Sequence, residues 1–338
     1  MAEVFTLLER FPLTLLDVST ILVFVATFVL AVRFLKVERP GNLAPLVPGG
    51  WPLLNHMPTF LTTDHRLLFC KWAKEHGDVY HVKIKSGEIC VVSGYTALKE
   101  MMEKDVFSTR HDGPVMVATG GDQDILMAPY GEVFKKRRRF VASVFRGLGV
   151  KMGRGSIQDQ IQEEARFICI KISSFSGRPF SVSTDLATAA GNIICALVFG
   201  KRFDYGDTRF QHLQMTMAKL GAEMVKWPLP FVHYIPKVQD PAAGVRLHSK
   251  KLQQFIREEI ERHRLNLDPE DPRDFIDYCL LQLNQKDGGG TWLNEESVVY
   301  ILQDLFIAGT DTTAATLTWA ILYMILYPDV QQKVRENQ

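Results

Sequence analysis

The chain has 338 residues, 46% of them hydrophobic and 23% charged, with a formal net charge of +1. This is an ordinary globular composition, and its balanced charge removes any global argument for nucleic-acid binding. Five scattered cysteines (Cys70, Cys90, Cys169, Cys195, Cys279) form no CxxC pair and no Cys/His metal spacing, which excludes a disulfide framework or a zinc site and fits a reducing compartment.

In chain order, the first element breaks the globular pattern. From Phe11 to Val32 the only charge is Asp17, and Val18 to Val32 is uncharged. About 20 apolar residues cross a bilayer core, so residues 1–36 are expected to form an N-terminal transmembrane anchor. Glu3 and Glu9 precede the run, where a cleaved signal peptide would want basic residues, and Arg33, Lys36 and Arg39 follow it. The positive-inside rule then leaves the rest of the chain in the cytoplasm. The alternative is a buried first helix. Residues 37–52, "VERPGNLAPLVPGGWP", with four prolines and three glycines, read as a stiff linker. The body is expected over 53–338.

Residues 78–94 alternate apolar and polar side chains on both sides of Ser86-Gly87, which predicts a two-stranded hairpin. Helical periodicity then predicts helices over 96–103, 129–145, 155–175, 184–199, 208–225, 243–265, 273–284 and 295–326. No internal repeat emerges. The fold class is therefore mostly α with a small N-terminal β-sheet. Within the second of these helices Lys135, Lys136, Arg137, Arg138 and Arg139 form a basic run. An amphipathic helix fans such residues around its cylinder, so a solvated surface competes with a docking face, and a nucleic-acid patch is the poorest of the readings.

The last helix is closed off by "GGG" at 288–290, capped by Asn294, acidic at Glu295 and Glu296, and stopped at Pro328. At 1.5 Å per residue it is roughly 48 Å long, enough to cross a domain. Its centre, "LFIAGTDTT", holds poor helix formers. Ala308 and Thr312 share a face, with Asp304 one turn earlier. Gly309 leaves room for a bulky planar group, and Asp311 beside Thr312 offers an acid and a hydroxyl for passing protons. The same residues also suit a helix crossing packed through small side chains, with Asp311 in a buried hydrogen bond or ion pair.

"AGTDTT" in a long central helix resembles the oxygen-activation motif of the cytochrome P450 haem-thiolate monooxygenases, and "YPDVQQKV" resembles the start of their next helix. "PGGWPLL", a weakened version of the proline-rich hinge, with "HGDVYHVKI" and "VVSGYTALKEMM", resembles the microsomal members, and "NIICALVFGKRFDY" and "PRDFIDYCLLQL" are similar to family 2, with its fatty-acid-hydroxylating U branch as one candidate. The resemblance implies haem b as cofactor, Asp311 and Thr312 as the proton-delivering catalytic pair, and Ala308 and Gly309 as the wall of the oxygen pocket. It implies that Asp304, Ile307 and Ala308 face substrate, and that Arg110 and Arg138 bind the haem propionates. Phe134 stands where the family has a tryptophan, and its ring has no N–H to donate. The implied partners are an NADPH–cytochrome P450 reductase docking on the basic run, the lipid bilayer, and a fatty acid or other lipophilic substrate, with no nucleic acid. The implied location is the endoplasmic reticulum membrane.

One expected feature is absent from the sequence. The family holds its iron through a cysteine in Phe-x-x-Gly-x-x-x-Cys-x-Gly, and none of the five cysteines stands in that pattern. The strings Glu163…Arg166, Glu259…Arg262 and Glu261…Arg264 fall before the central helix, where the family's Glu-x-x-Arg pair does not belong. The chain is thus expected to be a C-terminally truncated member, inactive alone. A non-catalytic lipid-binding or partner-binding module is the alternative.

Overall fold

A computed structural model describes residues 18–34, 41–51, 54–84, 87–110, 120–150, 157–225, 242–285 and 292–337. The start of the expected anchor (1–17), Lys36 and Arg39, the linker residues 37–40 and 52, the turn residue Ser86 and the 288–290 glycines lie outside the described residues. The chain divides into two compact units, Met1–Lys104 and Asp105–Gln338.

The first unit begins with α1 (Val18–Phe34), a 17-residue apolar helix. Leu22, Phe24 and Val29 on it are exposed. Its one polar side chain with a described bond, Thr27, donates to the Val23 carbonyl at 2.7 Å, so the helix hides its own hydroxyl. Two short helices that periodicity does not reveal follow, α2 (Met57–Thr62) and α3 (His65–His76). The Asp64 carboxylate caps α3 by accepting from the Arg66 N–H. Strands β1 (Val79–Ile84) and β2 (Gly87–Val92) pair antiparallel from Val79↔Val92 to Ile84↔Gly87, which is the hairpin the alternation predicts. The linker is stitched onto this hairpin: Val47 N–H donates to the His81 carbonyl at 2.9 Å and His81 N–H to Pro45 at 2.7 Å. Val47, Leu68, Trp72, Tyr80 and Val82 close a small core, and the buried Tyr80 hydroxyl finds the Phe69 carbonyl at 3.0 Å. Helix α4 (Tyr95–Met102) ends the unit.

The second unit is helical: α5 (Glu132–Val150), α6 (Ile157–Ser174), α7 (Ser183–Phe199), α8 (Thr208–Val225), α9 (Ala243–Leu265), α10 (Phe275–Asn284), α11 (Glu295–Leu326) and α12 (Pro328–Glu336). Three of these match the expected limits to the residue: 208–225, 243–265 and 295–326. The largest shift is in α5. It starts at Glu132 instead of 129 because the N–H groups of Ile125, Leu126 and Met127 are taken by carboxylates, which holds the preceding segment out of helix. It runs on past 145 because the buried Leu148 extends its apolar stripe.

Helix α11 starts with the expected cap, in full reciprocal form: Ser297 N–H donates to Asn294 Oδ1 at 2.7 Å and Asn294 N–H to Ser297 Oγ at 2.8 Å. Among the described residues it is the one helix long and apolar enough to cross a membrane. Its first half is instead buried by protein, with Val298, Val299, Ile301, Leu302 and Phe306 in the main core beside Phe199, Leu252, Ile256 and Phe275. It packs along α7, and α9 packs against it as well. At the α7 crossing a Cβ on Gly309 would fall into the Ile194 side chain, and one on Gly191 would fall 3.3 Å from Phe210 Cζ and 3.6 Å from Thr310 Cγ2. Both glycines exist to let backbones approach. Buried Asn192, in the middle of α7, ties down the segment that follows the helix by exchanging bonds with the Phe203 backbone at 2.9 and 3.0 Å.

Two stability outcomes follow from this core. Phe306→Ala, at a fully buried site, is expected to cost about 3–5 kcal/mol in denaturant unfolding. Gly309→Ala is expected to cost about 1–3 kcal/mol through overpacking, and adding Ile194→Ala should recover part of that loss in a double-mutant cycle.

Candidate active site

The packing of α7 on α11 decides where each residue of "AGTDTT" looks. Phe306, Thr310 and Ala314 recur at four-residue spacing and are buried. Ala308, Thr312 and Thr316 recur at the same spacing on another face and are exposed. Asp311, exposed on the side between these two rows, lines a cavity of about 800 Å³ together with Thr188, Gln214, Met217 and Thr310. The acid and the hydroxyl are adjacent in sequence, but a helix turns 100° between them, so they open onto different spaces.

Four threonine hydroxyls along α11 donate back to the carbonyl four residues earlier: Thr310 to Phe306 at 2.9 Å, Thr312 to Ala308 at 2.6 Å, Thr316 to Thr312 at 2.8 Å and Thr318 to Ala314 at 2.8 Å. This satisfies each donor and leaves the oxygen lone pairs of Thr312 free to accept. The Ala308–Thr312–Thr316 row carries only small side chains, which is the surface a flat group needs.

The other expected site residues fall in several places. Ile307 is half-buried against the main core. Arg110 is exposed and donates to the Ser108 carbonyl at 3.0 Å. Phe134, 9% exposed, packs its ring on Tyr130 at 5.8 Å between centroids, and Arg138 one turn further along α5 is exposed. Arg138 has no partner among the described residues. Two residues have partners that the sequence does not name. Gly309 faces Ile194 on α7, so its missing side chain serves helix packing. Asp304 is 3% exposed and does not line the cavity; its Oδ2 accepts from the N–H groups of Ile125 at 2.9 Å and Leu126 at 3.0 Å. Burial raises its pKa to about 8, the nearby Asp124 adds to the rise, and the two N–H bonds oppose it.

The neighbourhood of Asp304 contains residues that motif reading passes over. Asp124 is fully buried, accepts from Met127 N–H at 2.9 Å, and burial pushes its pKa up to about 6. Arg137, 2% exposed, donates to the carbonyls of Trp292 at 2.7 Å, Asp122, and Asp124 at 3.5 Å. A signal for Arg137 exists in the sequence. It sits at heptad spacing in the buried stripe Phe134, Val141, Val144, Leu148, where an arginine must be paired.

The residues present fit a haem in part. A flat exposed row on α11 and exposed arginines suit a macrocycle with acidic edges. The iron's thiolate is not supplied by the described surroundings: Cys195 and Cys279 are fully buried, and burial pushes both thiols up. Among the described residues one His/Asp group has metal-like spacing, His263, Asp274 and Asp277. Its ligand atoms are committed. His263 Nδ1 faces the Glu259 carbonyl at 2.7 Å and Nε2 faces Asp274 at 2.9 Å, while Arg273 holds Asp277 at 2.7 and 3.0 Å. Both imidazole nitrogens meet acceptors, so both carry protons and His263 is a cation, consistent with its raised pKa; burial alone would lower it, and Asp274 overcomes that.

Comparison with known proteins gives the family. The family profile described as Cytochrome P450 matches residues 45–338. Mouse cytochrome P450 2J5 is 30% identical over 328 residues, covering 95% of this chain and 64% of its own length. Human cytochrome P450 2U1 is 32% identical over 309 residues, covering 88% of this chain and 53% of its own length. A zebrafish cytochrome P450 solved with progesterone superimposes with a TM-score of 0.72 at 23% identity, over 81% of this chain and 63% of that one. The chain thus spans less than two thirds of the length of these relatives. With the profile running from the linker onward and relatives of the 2J and 2U groups matched along most of its length, the chain belongs to the cytochrome P450 family, whose members are haem-iron monooxygenases.

Proposed function

We propose that this chain is the anchor-to-central-helix part of a membrane-bound family 2 monooxygenase that inserts one oxygen atom from O₂ into fatty acids or other lipophilic small molecules. Electrons would come from NADPH through a reductase, met by the exposed members of the basic run on α5. The single observation that carries this reading is the division of labour on α11: an open row of small residues at Ala308, Thr312 and Thr316, with Asp311 beside it on a cavity.

In this reading Arg138 and Arg110 hold the propionates of haem b, with the Phe134 ring packed beside them in place of a donor. Ala308 and Gly309 form the wall over the macrocycle, and Ile307 stands next to it. When bound, thiolate-ligated haem supplies the oxygen-splitting chemistry. The chain's own contribution is the proton: Asp311 takes it from the cavity side, and the Thr312 hydroxyl accepts and passes it on the open side. The apolar exposed α1 serves as the membrane anchor, and the positive charges after it keep the body in the cytoplasm at the endoplasmic reticulum.

Two outcomes are expected. The 338-residue chain alone, reconstituted with haem and reduced under carbon monoxide, should give no thiolate-type Soret band, because none of its cysteines has the ligand setting; such a band would overturn that part of the reading. In a longer form carrying the ligand cysteine, Thr312→Ala should lower the fraction of consumed oxygen that appears as product several-fold, with haem content unchanged. Unaltered coupling would remove Thr312 from proton delivery.

A further inference from the structure

Three consecutive backbone N–H groups, those of Ile125, Leu126 and Met127, are taken by two carboxylates. Asp304 reaches them from α11 and takes the first two through Oδ2; Asp124, on the segment itself, takes the third through Oδ1. Both acids are buried, at 3% and 0% exposure. The second oxygen of Asp124, Oδ2, is buried without any hydrogen-bond partner. A buried, unpaired carboxylate oxygen, on an acid that shares a three-residue run of N–H groups with a second buried acid and acts on it electrostatically, is costly while both are ionised.

Charge balance around the pair makes the same point. The groups that act on it are Asp122 and Tyr300 besides Arg137. Asp122 is exposed, and its backbone carbonyl is what Arg137 holds. The Tyr300 hydroxyl is kept neutral by burial, which raises its pKa further. Arg137 supplies one positive charge, directed at carbonyls. Two ionised buried acids against one guanidinium leave a surplus negative charge, and one proton removes it.

We propose that Asp124 and Asp304 hold a single proton between them, and that this proton latches the segment 124–128 onto α11, so that alkaline conditions release it. The segment leads straight into α5, so its release also frees the start of the helix that carries Phe134, Arg137 and Arg138. This device is independent of haem.

The sign of the pH effect follows from the direction of the shifts. Asp304 titrates near 8 in the closed structure and near its ordinary value of 3.8 once released. The closed form therefore binds the extra proton, and its advantage is complete below about 4 and is lost as the pH rises towards 8. Above pH 6 Asp124 has already ionised, which leaves one proton in play.

Hydrogen exchange of the 338-residue chain in detergent micelles, read on peptides covering 120–131 and normalised to intrinsic rates and to α7, tests this directly. In the unmodified chain, protection of these peptides should fall about tenfold per pH unit between pH 6 and 8 and then level off. Asp304→Asn keeps an oxygen that accepts from Ile125 and Leu126 but cannot ionise, so its protection should be flat across the same range. Asp124→Asn removes the neighbouring charge and should move the levelling point to lower pH. Protection in the unmodified chain that does not change from pH 6 to 8 would overturn the proposal. So would an Asp304→Asn variant as pH-sensitive as its parent, or an Asp124→Asn variant whose levelling point stays in place.

Discussion

The close approach of α7 and α11 is the constraint from which the rest of the second unit follows. It is possible only because Gly309 faces Ile194 and Gly191 faces Phe210 and Thr310. Once the two backbones are that close, α11 cannot rotate about its axis without driving a side chain into α7. The rotation so fixed turns Phe306, Thr310 and Ala314 inward and leaves Ala308, Thr312 and Thr316 uncovered. A one-residue change in register, a turn of 100°, would swing Thr310 off α7 and put Gly309 or Asp311 in its place. The candidate chemistry therefore depends on how α7 packs on α11.

Buried charge in this unit gathers where the chain leaves regular structure. The Asp124–Asp304–Arg137 group holds the segment before α5, and the His263–Asp274–Arg273–Asp277 group holds the junction of α9 and α10. At such junctions the backbone N–H and carbonyl groups lack helical partners and need others. Carboxylates and guanidinium supply them: Asp304 serves two N–H groups, Asp274 caps α10 through the Asp277 N–H at 3.1 Å, and Arg137 serves three carbonyls. The left-handed Gly200 that ends α7 (φ 63°) lies against the same Asp274, where a Cβ would come within 2.5 Å of its carboxylate. Ionic groups here replace secondary structure in the interior.

How much of this was legible in the sequence varies with the physics behind each element. Long helices such as 243–265 and 295–326 were legible to the residue because periodicity, the Asn294 cap and Pro328 all speak locally. The hairpin was legible from alternation alone. The helices Met57–Thr62 and His65–His76 were not, since one or two turns carry too few periods to stand out. Within the site, Asp311 and Thr312 were legible as a pair, but the space each faces was not, because that depends on α7. Asp304 and Gly309 were legible as special, but the Ile125 and Leu126 N–H groups and Ile194 that they meet were not, for one reason: a polar or small residue in a helix reveals that it has a non-local partner, not which one. Arg137 was hidden inside a basic run whose other members are solvated or half-buried.

The Thr312 back-bond bears on what the hydroxyl can do in the proposed role. Its proton rests on the Ala308 carbonyl at 2.6 Å, an oxygen that a helix already uses for its own ladder. Donating that proton elsewhere first requires breaking this bond, a net loss of about 1 kcal/mol. Accepting a bond costs nothing, since the lone pairs are free and the row around them is open. A hydroxyl so placed is better suited to receive a proton-bearing group first and to release its own proton after the incoming bond has formed. Asp311 cannot substitute for it, because its carboxylate opens onto the cavity and not onto the Ala308–Thr316 row. In the proposed role the two residues act in series across a helix, and the threonine is the one whose geometry sets the order.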